Sequence, residues 1–76
     1  MDGLTQQEHS ALCAIADWKS APEVAAALYP SGPNFQKRLK VRQALDRLLR
    51  RKLAEHHRGN DTYRATDAGR QLLALL

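Results

Sequence analysis

The stretch FQKRLKVRQALDRLLRRKLAEHHRGNDTYRAT, residues 35–66, holds two hydrophobic patterns in succession, and together they decide the fold. In its first half Val41, Leu45 and Leu48 recur at i, i+4 and i+7, the spacing of one face of an α-helix. That helix is placed at about Phe35 to Arg51. In the second half Leu53 to Arg58 reads as a strand, Gly59-Asn60 as a tight turn and Asp61 to Ala65 as the returning strand. With Gly59 and Asn60 at the turn centre, Glu55 faces Arg64 and Arg58 faces Asp61. Both are opposite-charge cross-strand pairs, each worth some tenths of a kcal/mol, so this register is favoured.

Working outward, Thr66 can cap a last helix that begins at Asp67, an acid suited to the positive end of the helix. Toward the N-terminus, Thr5-Gln6-Gln7-Glu8 matches a reciprocal capping box and opens a helix to about Asp17 that buries Leu12, Ile15 and Cys13. Ser20-Ala21-Pro22-Glu23 repeats the device with proline in the first turn, opening a helix to about Leu28 that buries Val24, Ala27 and Leu28. Trp18 is expected as a wedge between these two helices, with base stacking as the sharper alternative. Two prolines and a glycine in Tyr29-Pro30-Ser31-Gly32-Pro33-Asn34 break the pattern, and Asn34 or Ser31 caps the third helix. Phe35 and Leu39 fall off its apolar seam. Either that helix starts later, or the two pack under the preceding loop.

Charge is distributed as unevenly as hydrophobicity. Residues 37–52 hold eight of the twelve lysines and arginines and one acid, Asp46, whereas the whole chain of 76 residues nets +4. A basic helix held by a small core is a common way to present charge to nucleic acid. The length allows one domain, residues 1–76, burying roughly 60% of the surface exposed on unfolding. Cys13 is the only cysteine, so no intramolecular disulfide forms. Neither a signal-peptide pattern nor an apolar run long enough to span a bilayer is evident, and a reducing cytoplasm is the expected location.

The succession helix, helix, helix, hairpin, helix resembles the winged helix-turn-helix domains of prokaryotic transcription regulators. The residues that carry the likeness are SAPEVAAAL, VRQALDRLLRRKL and YRATDAGRQLL, and most specifically Leu45, Leu48, Leu49, Leu53, Tyr63, Thr66 and Gly69. It covers about Leu4 to Leu76. The resemblance implies a mainly α fold with a small β-hairpin (α-α-α-β-β-α) and duplex DNA as the partner, in a small transcriptional regulator. The recognition helix would be 35–51 and the wing 53–65. Lys37, Arg38, Lys40, Arg42, Gln43 and Arg47 would face DNA, with Arg58 and Arg64 adding charge at the wing. Arg50, Arg51 and Lys52 either join them or simply close the helix; the hairpin either touches DNA or only covers the core. In two places the chain departs from the family's pattern: the residues between Leu28 and Val41 exceed the usual tight turn by about half a dozen, and Lys52 replaces the usual glycine at a left-handed position.

Other chemistries have less to stand on. His9 and Cys13 lie one turn apart, but one cysteine and three histidines without CxxC or HxxxH spacing make a weak metal signal. No phosphate loop, nucleophile elbow or clustered acid pair occurs, so neither an enzyme nor a cofactor is expected. The rival reading is a protein adaptor whose basic helix and 29–39 segment dock on an acidic partner. Leu72, Leu73, Leu75 and Leu76 form either a homodimer seam or a helix face packed on its own domain.

Overall fold

The computed structural model describes residues 3–32 and 34–75. Its elements run α1 (Gln6–Ala14), β1 (Lys19–Ser20), α2 (Ala21–Leu28), α3 (Phe35–Arg50), β2 (Ala54–His57), β3 (Thr62–Ala65) and α4 (Asp67–Leu75). This is a mainly α winged-helix arrangement with one small antiparallel sheet in the order β1-β3-β2.

Each helix opens on a side chain that satisfies one of its unpaired N–H groups. Thr5 Oγ1 accepts from the Glu8 amide at 3.1 Å while Glu8 Oε1 accepts from the Thr5 amide at 2.9 Å. Ser20 and Glu23 make the same reciprocal pair at 3.3 and 3.0 Å. Asn34, one of the two caps expected for α3, accepts from the Lys37 amide at 2.8 Å. The Thr66 hydroxyl accepts from the Gly69 amide at 3.1 Å and donates to the Lys52 carbonyl at 2.8 Å, tying the start of α4 to the end of α3.

α1 stops three residues short of the expected end. The Ile15 carbonyl accepts from the Ala65 amide of β3 at 2.8 Å, and the chain leaves the helix to pair Lys19 with Tyr63 and Ser20 with Thr62. The buried stripe of α1 is Glu8, Ala11 and Leu12, continued by Ile15, which turns Cys13 to solvent. In α2 the inward positions are Val24 and Ala25, flanked by the half-buried Ala21 and Leu28. Ala27 is therefore exposed, not buried as expected.

α3 supplies the middle of the core. Val41, Ala44, Leu45 and Leu48 are buried along one seam and pack with Leu12, Ile15, Val24 and the sheet residues Ala54, Tyr63 and Ala65. Neither alternative for Phe35 and Leu39 holds: the helix starts at Phe35, and both side chains are exposed, by 76% and 46%. At the far end Leu53 N–H donates to the Leu48 carbonyl and Lys52 N–H to the Leu49 carbonyl, a paired helix stop with Lys52 at φ +60°. α4 closes directly over this stop. A Cβ at Gly69 would overlap the Leu53 carbonyl oxygen, so only glycine permits the approach. Leu72 and Leu73 pack partly against the core, Leu75 is 83% exposed, and Leu76 lies outside the described residues.

The hairpin has the expected register, with Glu55 opposite Arg64 and their side chains 3.2 Å apart. The second expected pair does not form. Asp61 adopts φ +52° and its carboxylate meets His56 Nε2 at 2.8 Å instead of Arg58.

Candidate nucleic-acid interface

The seam of α3 fixes what its other sides present. At roughly 100° per residue, the exposed positions fall into two stripes. One is Gln36, Lys40, Gln43, Arg47 and Arg50; the other is Phe35, Arg38, Leu39, Arg42 and Asp46. Five exposed cations thus flank a single acid, Asp46.

The neighbours of each stripe differ. On the α1 side, Lys37 is half-buried with its ammonium 5.1 Å from the Tyr29 ring, and Tyr29 is anchored to α1 by a 2.9 Å contact between its hydroxyl and Gln7 Nε2. Farther along, Arg51 lies 3.9 Å from the buried carboxylate of Glu8. These contacts direct Lys37 toward Tyr29 at the end of α2 and Arg51 toward α1. The stripe of Lys40 and Arg47 stands next to them, open to solvent.

The second stripe borders the start of α2 and the sheet. Phe35, Arg38, Leu39 and Arg42 form, with Ala21 and Pro22, a groove of about 330 Å³. Beyond it lies Tyr63 of β3, whose phenol is raised above its ordinary pKa by burial, with Arg42 opposing and Asp61 and Asp46 adding to the shift. At the mouth of α2 the Glu23 carboxyl is held below the usual carboxylate range by hydrogen bonds from the Ser20 backbone and hydroxyl, with Lys19 assisting against some desolvation.

At the wing the two expected cations part ways. Arg58 is exposed in the turn. Arg64 is half-buried on the outward side of the sheet, between its ion pair with Glu55 and the Trp18 ring, which lies 4.6 Å from its guanidinium carbon. Its charge is largely compensated there, so it adds little to the wing. Trp18 is correspondingly displaced from its expected place between α1 and α2: it lies against Arg64 and, edge-on at 5.8 Å, against His57. A tryptophan just before a strand packs on that strand's sheet once β1 exists, and β1 has no local sequence signal.

Six expected residues, Arg38, Lys40, Arg42, Gln43, Arg47 and Arg58, are therefore exposed, while Lys37 and Arg64 are engaged within the chain. Sequence reasoning left Phe35 and Leu39 unplaced; their off-seam spacing was the available signal that they share a stripe with Arg38 and Arg42. His9 Nδ1 and Cys13 Sγ lie 3.9 Å apart, and among the described residues no three metal-ligating side chains gather. No described helix is long and apolar enough to cross a membrane. Comparison with family models, curated proteins and solved structures returns no match to this chain.

Proposed function

We propose that this winged-helix domain binds duplex DNA through α3 and serves as a small transcriptional regulator. The observation that carries the proposal is the open side of α3, where Arg38, Lys40, Arg42, Arg47 and Arg50 are exposed beside one acid. A duplex major groove admits one α-helix, and cations on both sides of the helix can reach the phosphates on either wall. Arg58 at the hairpin turn extends the same charge. Gln43, between the two arginine-bearing flanks, has the amide needed to pair with an adenine edge.

The test is titration of the full chain against a short random-sequence duplex over a range of salt. Log affinity should fall linearly with log salt, at about −0.9 per phosphate neutralised. Lys40→Glu with Arg47→Glu should weaken binding tenfold or more and make the slope shallower by about 2. These side chains are exposed, so helical content should be unchanged. Intact duplex affinity in that folded double variant would overturn the proposal and select the adaptor reading, in which Phe35 and Leu39 meet an acidic protein.

A further inference from the structure

Phe35 and Leu39 are the least expected side chains on the open face of α3. They sit one turn apart in its N-terminal half, exposed by 76% and 46%, and no part of the described chain covers them. They are also not isolated. Ala21 and Pro22 extend the apolar surface into a groove, and the guanidinium groups of Arg38 and Arg42 stand on the same stripe. Lys40 and Arg47 carry positive charge along the neighbouring stripe. An occupant must therefore be anionic along the length of the helix yet apolar at one or two points near its start. A duplex major groove has that character wherever it contains thymine, whose 5-methyl group projects into the groove between the phosphate walls.

We propose that Phe35 and Leu39 read thymine. Resting on the DNA-binding reading above, this assigns their side chains to the 5-methyl groups of thymines in the major groove. Arg38 and Arg42 then take adjacent guanine acceptors or phosphates. Four residues of helix advance roughly 6 Å, close to two base-pair steps at roughly 3.4 Å each. The preferred site accordingly holds two thymines within about two steps of each other. Asp46, one turn beyond Arg42, repels phosphate and limits close approach along this stripe to the first turns of α3, while Arg47 and Arg50 on the neighbouring stripe remain open to phosphate.

The experiment selects bound duplexes from a random pool with the full chain, then replaces each enriched thymine by deoxyuridine, which lacks only the methyl group. Each replacement at a contacted position should lower wild-type affinity roughly threefold to fivefold. Phe35→Ala with Leu39→Ala should bind the thymine and uracil duplexes equally and keep the wild-type salt slope. The deoxyuridine arm alters only the DNA, so it stands even where the variant folds poorly. Duplex binding with the expected salt slope but no thymine enrichment, or no response to uracil, overturns this inference alone. No duplex binding at about 50 mM salt overturns the DNA reading as well. Saturable binding of an acidic amphipathic peptide, lost in the Phe35→Ala/Leu39→Ala variant and unaffected by duplex, also overturns it and gives the groove to a protein.

Discussion

Lys52 holds its backbone at φ +60°, where a Cβ crowds the neighbouring carbonyl and glycine does not. Its amide nevertheless completes the stop of α3, and its carbonyl accepts the Thr66 hydroxyl. Lys52→Gly keeps both hydrogen bonds and relieves the strain, although a glycine also loosens the unfolded chain. The expected net effect is a gain of roughly 0.5–1 kcal/mol. It should be read as a higher urea midpoint with unchanged slope; a lower midpoint would show that the lysine side chain contributes more than its backbone costs. This position was legible through the resemblance, because the family usually places glycine at that helix exit, where the backbone turns left-handed. Asp61, at φ +52°, was not legible in the same way. Its conformation goes with a contact to His56, five residues back, in place of the simple charge pairing with Arg58.

Among elements, the short helices depend on caps as well as on the packing of their buried faces. α2 has eight residues, too few to persist without its cap and its packing. Ser20→Ala removes one half of the reciprocal pair and should cost about 1 kcal/mol at neutral pH. The sign of its pH dependence follows from Glu23. The larger cause of the lowered Glu23 pKa, the bond from the Ser20 backbone N–H, survives in the alanine variant. Only the hydroxyl's smaller share is lost, and the stability it adds is present above the ordinary carboxylate value and goes as pH falls through the depressed one. The difference between wild type and Ser20→Ala, measured by urea unfolding at several pH values, should narrow in acid without vanishing, since the bond from the Glu23 amide to Ser20 Oγ does not titrate. A gap that widens in acid would contradict this account. The same element scale shows where local reading failed. α3 and the hairpin register could be read from periodicity and charge pairing, both properties of neighbouring residues. β1 could not, because Lys19 and Ser20 carry no strand pattern and are extended only where the edge of β3 receives them.

For the whole molecule, the governing feature is a small core beneath a dense charge. Residues 37–52 carry most of the cations, and much of their repulsion is borne by one helix. Added salt should therefore raise the melting temperature of the free domain from low ionic strength upward, by roughly 2–4 °C for about half a kcal/mol of repulsion relieved. Over the same range duplex affinity should fall. Calorimetry of the domain in about 20 and 200 mM salt checks the first half; a falling melting temperature would mean that attractive pairs such as Glu55–Arg64 and Glu8–Arg51 outweigh the repulsion. The opposed responses belong together, because the charges that would serve a polyanion are the ones that strain the free fold.

Local order along the chain settled where α1, α2 and α4 begin, which seam of α3 is buried, the hairpin register and where the positive charge lies, and left the cap of α3 open between Asn34 and Ser31. Caps, apolar period and charge runs act between residues a few positions apart, so each is complete within a short stretch of chain. Only the assembled fold set the end of α1 at Ala14, laid Trp18 on Arg64, turned Lys37 toward Tyr29 and Arg51 toward Glu8, and kept Phe35 and Leu39 open beside Ala21 and Pro22. Those outcomes depend on which distant segments arrive at the same place, and no local pattern encodes the meeting.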